Sequence, residues 1–270
     1  MIELPHLATD SRAIACIDTV SEVFTGILAR LDSWRDELVR MVDSQTPSSR
    51  SLDAFVESLV LPSLTVADTI MIGAGFVAAP GFLPDAYWHL SWWLGEQNTI
   101  GFDSGSVVST RRLETVTDPT SDRFRDYTNL EWWRVPERTG SPHITGPYVD
   151  YLCTDDYTLT VTMPVYTASS LIGMVGADSY VRQIEVLLLP HLYEVGCAAI
   201  VVNASGRVVA SSDPHHAPGS ILRIAGLSEQ LHAWGNSGAE HSHQMLLPGG
   251  ETVLECPGTN LAVVLDGQYA

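Results

Sequence analysis

Tyr127, Glu131, Trp132 and Trp133 sit close together in YTNLEWW, and Tyr148, Asp150 and Asp178 follow in PYVDY and LIGMVGAD. Aromatic faces and carboxylates in such order suit the capture of a small cation. A ring face attracts an ammonium by roughly 0.5–2 kcal/mol, and a carboxylate adds a charge-assisted hydrogen bond. If PYVDY is extended, Tyr148 and Asp150 point to the same face. Asp178 ends its segment beside Gly176 and Ala177, small residues that let a ligand approach closely. Taken singly, each aspartate reads as a strand end or turn cap, and the tryptophan pair as core packing. Tyr127, Glu131 and Asp126 flank the pair and are weaker candidates for the same pocket.

Other chemistries find less support. The chain has no lysine, and all 14 of its basic residues are arginine. That removes Schiff-base chemistry, a phosphate-loop lysine and a lysine general base together. No nucleophile elbow, phosphate-binding loop or dinucleotide fingerprint occurs. Asp150 and Asp178 as an acid–base pair is the one catalytic alternative, without a sugar-binding pattern beside it. His215, His216, His241 and His243 with Cys256 offer zinc-ligating types, but on Pro/Gly-rich segments that read as loops. The expectation is a binding protein with no catalytic residue, no metal and no cofactor.

Composition sets the outer bounds. An apolar fraction of 45% over 270 residues supports a true core. A formal charge of −18 argues against a nucleic-acid partner and against an anionic membrane surface. It fits a cationic ligand only weakly, since an acidic surface also serves solubility. The four cysteines (Cys16, Cys153, Cys197, Cys256) form no CxxC and read as reduced and buried. No export signal is visible, and the apolar run from Val60 to Leu83 is broken by Pro62, Asp68 and Pro80. The expected location is the cytoplasm, or outside the cell if the chain is a trimmed part of a membrane receptor.

These residues need elements to hold them. Ile17, Val20, Phe24, Ile27, Leu31, Trp34, Leu38 and Met41 recur at steps of three and four, predicting a long helix that opens near Thr9 or Asp10 and ends before Gln45. Its stripe serves packing within the chain, a homodimer seam, or both. A short helix is expected over Leu52 to Leu61 and a strand around Thr69 to Val77. Trp88 and Trp92 share a face if AYWHLSWW is a strand, with Trp93 pointing away. DYTLTVTMPVY alternates strictly, predicting a strand with one buried face, paired in a hairpin with LIGMVGAD. CAAIVV and RVVASS flank Asn203-Ala204-Ser205-Gly206 as a second hairpin. The chain therefore reads as α+β: a long helix over 1–50, a distal antiparallel-sheet module over 51–194 and a smaller sheet module over 195–270.

The ordered pattern resembles the double Cache family of ligand sensors, here as a soluble bacterial variant. The matching motifs are the aromatic pair Trp132-Trp133, then Pro147-Tyr148-Val149-Asp150, then Pro164-Val165, then Gly173-Met174-Val175-Gly176-Ala177-Asp178, with AAIVVNASGRVVASS opening the second module. The resemblance implies two PAS-like modules, with the ligand in the distal one and the signal passed to a downstream protein. In amino-acid-binding members an arginine precedes the aromatic pair and holds the ligand carboxylate, while a tyrosine and two aspartates hold its ammonium. Here Leu130 stands at the arginine position and Trp133 at a tyrosine position. The ammonium half survives as Tyr148, Asp150 and Asp178. A carboxylate buried against leucine without a partner is costly, so the expected ligand is an amine or quaternary ammonium. An amino acid is the alternative, with Arg125 or Arg134 replacing the lost guanidinium.

Overall fold

The apolar stripe at steps of three and four winds Ser11–Ser44 into one continuous helix, α1. In the computed structural model, which describes residues 11–101, 108–149, 154, 156–168, 170–236 and 244–266, Val20, Phe24, Ile27, Leu31, Trp34, Leu38 and Met41 are all buried and Ile17 is half-buried. Ala13 and Cys16 extend the buried stripe toward the N-terminus. The stripe is thus covered within the chain itself. Thr9, Asp10, Asp150, Cys153, His241 and His243 lie outside the described residues.

The polar link ahead of the second helix does specific work. Ser48 caps it by accepting from Ser51 N, while Ser48 N donates back to the Ser51 hydroxyl at 2.9 Å. This reciprocal cap satisfies two backbone donors, and α2 runs over Ser49–Leu64, longer at both ends than the apolar pattern alone suggests.

Two compact units follow from the contacts, one over Ile27–Tyr180 and one that joins the helix up to Gly26 with the chain from Val181 onward. The first holds a six-stranded antiparallel sheet: β1 (Gly73–Ala78), β2 (Leu90–Leu94), β3 (Arg111–Arg112), β4 (His143–Val149), β5 (Tyr157–Thr167) and β6 (Ser170–Tyr180), in the order β3-β2-β1-β6-β5-β4. A third helix, α3 (Glu131–Thr139), packs on β4 and β5.

Register assigns each residue a face. Trp92, Gly75, Gly176 and Thr162 lie in one cross-strand row, and Leu94, Gly73, Asp178 and Thr160 in the next. Ser91, Phe76, Val175 and Met163 point the other way, where α2 packs on β1 and β2 and the Arg35 guanidinium of α1 meets Met163 Sδ at 3.6 Å. The alternation in β5 holds, but both of its faces are buried: Thr158, Thr160 and Thr162 are at most 3% exposed. β5 is an interior strand with layers on both sides, and the threonine row faces α3 and a cavity rather than water.

The second unit contains helix α4 (Val181–Glu194), strands β7 (Ala199–Asn203) and β8 (Val208–Ser211), helix α5 (Leu227–Asn236), and strands β9 (Gln244–Leu246), β10 (Thr252–Glu255) and β11 (Leu261–Leu265). Its sheet order is β8-β7-β11-β10-β9. In the β7–β8 turn Asn203 Oδ1 accepts from Ser205 N and Arg207 N, and Gly206 takes a positive φ of 72°. Ile200, Val202, Leu231, Trp234 and Val264 form part of its core. The architecture is α+β, a long helix followed by two antiparallel sheets of PAS-like arrangement. No described helix is long and apolar enough to cross a membrane.

Candidate ligand-binding site

The row that ends on Asp178 builds a cavity within the first unit. Its floor is Asp178 of β6 and Thr160 of β5, directly paired across the two strands. Tyr148 of β4 stands at the edge, after a register shift between Thr145 and Tyr148. The walls are aromatic: Trp88, Trp92, Phe124, Tyr127 and Trp132. Leu130 and the segment carrying Thr115, Arg123 and Arg125 complete the lining. The cavity measures about 70 Å³, several times the roughly 10–15 Å³ that one water needs.

At the floor, Thr160 Oγ1 donates to Asp178 Oδ1 at 2.6 Å, and the Tyr148 hydroxyl lies 2.7 Å from Thr160 Oγ1. A threonine has one hydroxyl proton. Since Thr160 gives it to the carboxylate, Tyr148 must be the donor in the second bond. Both protons of the relay are therefore directed inward. Asp178 is only 4% exposed. A buried carboxylate with acceptor-rich neighbours is matched by a ligand that brings donors and positive charge.

The aromatic wall is a continuous cluster. Trp88 meets Phe124 and Tyr127 edge-on, each at 5.1 Å between centroids, and Tyr127 stacks on Trp132 at 6.2 Å. The buried Tyr127 hydroxyl donates to Ala78 O at 2.7 Å, and burial pushes its pKa up. That phenol stays protonated and fixed to β1, so Tyr127 offers a ring rather than a base. Thr162 Oγ1 donates to Trp132 O at 2.7 Å, tying the start of α3 to β5.

The absence of side chains makes room for Trp92. A Cβ on Gly73 would sit 2.9 Å from Trp92 Nε1, and one on Gly176 would sit 3.2 Å from the far edge of the same ring. The indole thus lies across Gly176 of its own row and Gly73 of the next, close against the sheet. On the opposite face Trp93 carries the Arg112 guanidinium 6.0 Å from its ring centroid, so the strand reading of this segment describes its two tryptophans.

Of the residues singled out from sequence, Tyr127, Trp132, Tyr148 and Asp178 come together at the cavity. Trp133 does not: it is 1% exposed, packs on Tyr127 at 5.3 Å, and belongs to the core behind the wall. Adjacent helical residues point about 100° apart, and here Trp132 lines the cavity while Trp133 packs behind it. Glu131 also turns away, with its carboxylate 3.0 Å from His143 Nε2, joining α3 to β4. Asp126 caps the short turn Tyr127–Asn129 by accepting from Thr128 N. Asp150 lies outside the described residues. Arg125 lines the cavity while donating to the carbonyls of Asp122 and Phe124; Arg134 is exposed on α3.

Trp88, Trp92, Phe124, Thr160 and Arg123 line the cavity without having been singled out as site residues. The signal for Thr160 and Trp92 was present as strand parity: each lies on the face that carries Asp178. Elsewhere, among the described residues no group of three or more metal-ligating side chains gathers. His215 is exposed and bound to Asp213 at 2.7 Å. Cys16, Cys197 and Cys256 are free thiols, with burial raising the Cys16 pKa to about 12.

Comparison with known proteins bears on the fold. Residues 104–185 match the family model of the first PDC sensor domain of methyl-accepting chemotaxis protein-like receptors. No curated protein matches the sequence significantly. Among solved structures, a methyl-accepting chemotaxis protein X superposes with a TM-score of 0.60 at 16% identity, over 95% of this chain and 94% of its own. The ligand-binding domain of the Pseudomonas fluorescens chemoreceptor CtaA in complex with L-valine gives 0.56 at 13% identity, over 96% and 95%. That of the Pseudomonas aeruginosa PAO1 amino acid chemoreceptor PctB in complex with L-Arg gives 0.52 at 15% identity, over 96% and 94%. Such identities speak to the fold.

Proposed function

We propose that this chain, whose residues 104–185 match a first PDC sensor domain, is a sensor domain of the double Cache type, and that it detects a small amine or quaternary ammonium in the cavity above Asp178. The observation that carries the reading is the buried Asp178–Thr160–Tyr148 relay beneath an aromatic wall. The carboxylate supplies charge, and each ring in contact adds roughly 0.5–2 kcal/mol to a cation. Leu130, 41% exposed at the edge of the lining, stands at the position where the family resemblance puts a guanidinium for an α-carboxylate. Ligand occupancy is read by a downstream protein through the population of two states of the domain. A homodimer along α1 would use the exposed flank that carries Ile14. The role is binding, not turnover.

A second reading has its own support. Arg123 and Arg125 line the cavity, and CtaA and PctB are seen with L-valine and L-Arg. An amino acid could set its ammonium on Asp178 and its carboxylate toward these arginines.

The test is thermal stabilisation and calorimetric titration with a panel of amines, quaternary ammonium compounds and amino acids, on the wild type and Asp178→Asn. We expect saturable binding by amines, weakened at least about 30-fold by the substitution, which corresponds to one charge-assisted hydrogen bond. Tight binding of amino acids with bare amines inert selects the second reading. No shift by any compound removes both.

A further inference from the structure

Resting on that reading of the site, one atom in the wall narrows the ligand further. Trp92 is 6% exposed, its ring lines the cavity, and its Nε1 is a buried donor with no hydrogen-bond partner among the described residues. The nitrogen lies over Gly73, the residue directly across from Asp178, where paired Cα atoms of neighbouring strands stand about 5 Å apart. A buried N–H without an acceptor is rare in a folded protein, because its lost hydration is not returned. Trp133 Nε1 is also without a partner among the described residues, but its ring does not line the cavity. Trp92 is therefore the indole whose orphaned proton stands in the wall next to the carboxylate.

We infer that Trp92 Nε1 donates to the ligand, and that the ligand carries a neutral oxygen acceptor a short chain away from its ammonium. One uncharged donor satisfies an ether, hydroxyl or carbonyl oxygen. A carboxylate at the same place would sit near Asp178 and repel it, with no guanidinium from Leu130 to offset the repulsion. The class is an oxygen-bearing amine, such as an amino alcohol, amino ether or amino amide. A bare alkylamine or a simple tetraalkylammonium fills the cage but leaves the Trp92 proton unmet. Gly73 and Gly176 serve this role by letting the indole lie flat enough for Nε1 to approach the Asp178 row.

The experiment compares two amines of nearly equal shape, 2-methoxyethylamine and n-butylamine, by calorimetric titration of the full chain. Both are protonated at neutral pH and differ by an ether oxygen in place of a methylene. The expected result is a preference for the ether by about fivefold or more, the worth of one net hydrogen bond, despite the greater hydrophobicity of n-butylamine. Trp92→Phe, which keeps a ring and removes the donor, should abolish or reverse that preference. In wild-type protein labelled with ¹⁵N-tryptophan, the Trp92 indole N–H resonance should move downfield with the ether and stay with the alkylamine; this reading needs no variant. Equal binding of the two amines, or a preference retained in Trp92→Phe, overturns the inference. If in that case Asp178→Asn still abolishes binding, the amine site stands without this refinement. If neither amine binds the wild type, the site reading and the inference fall together.

Discussion

Thr160 and Asp178 face each other across β5 and β6, and the threonine hydroxyl donates to the carboxylate at 2.6 Å. This contact orients the buried charge and decides which way the Tyr148 proton points. Thr160→Val keeps the shape and deletes both bonds. It should cost about 1–3 kcal/mol of stability and lower amine affinity about tenfold, whereas Thr160→Ser should retain most of both. Melting curves with parallel titrations check this; a Val variant that binds as tightly as wild type would show that the relay is incidental.

Leu130 lines the cavity at the N-cap of α3, without a side-chain capping bond. Leu130→Arg places a guanidinium at the cavity. Affinity for amino acids should rise at least about tenfold over the corresponding amines, the effect of one charged hydrogen-bonding partner. Competition titration with matched amine and amino-acid pairs measures it, and an unchanged ratio would mean that this position does not set carboxylate selectivity.

Gly73 and Gly75 make a graded pair. A Cβ on Gly75 would fall 2.1 Å from Ser91 O, a backbone atom of the paired strand, whereas one on Gly73 meets the movable Trp92 ring at 2.9 Å. Gly75→Ala should lower the melting temperature far more than Gly73→Ala. Gly73→Ala should act chiefly on ligand binding, by displacing the indole. The reverse order in differential scanning calorimetry would contradict the packing described.

Asp53 of α2 accepts from His89 Nε2 at 2.9 Å and from Ser91, and it pairs with Arg112 at 2.9 Å. Burial alone would raise its pKa; the bonds from His89 and Ser91 and the charges of His89 and Arg112 hold it below the ordinary value. A depressed carboxylate stabilises the fold above its unfolded pKa, about 3.9, and that stabilisation is lost as pH falls through the folded value. Wild-type stability should therefore decline below about pH 4, and Asp53→Asn should be less stable at neutral pH but flatter across that acid window. Denaturant melts at pH 3 to 7 on both proteins test it.

Much of this was legible in the sequence because it was periodic. The stripe on α1, the β5–β6 hairpin and the β7–β8 turn each carry a period or a turn signal that local chemistry enforces. Asp178 was legible because small neighbours mark a close approach. Trp133 illustrates the limit. Whether a tryptophan in an adjacent pair lines a cavity or fills the core depends on how α3 rotates against β5, which the Thr162–Trp132 carbonyl bond sets. The burial of both faces of β5 was hidden for the same reason: threonine is polar enough to read as solvated, and only the opposing layer shows that it is not. Arg123 carried no local signal, since its place at the cavity depends on the path of an irregular segment.

Gly73 and Gly176 hold the Trp92 ring by lacking methyl groups, so pocket depth here is stored as an exchange of volume between sheet and wall. A smaller residue at 92 paired with alanine at 73 or 176 would fill much of the same space from the other side. Ligand size can therefore drift along this family of compensating pairs while the strands keep their register and Asp178 keeps its place. On the proposed function, the module would change its ligand by trading bulk, with its charge left in position.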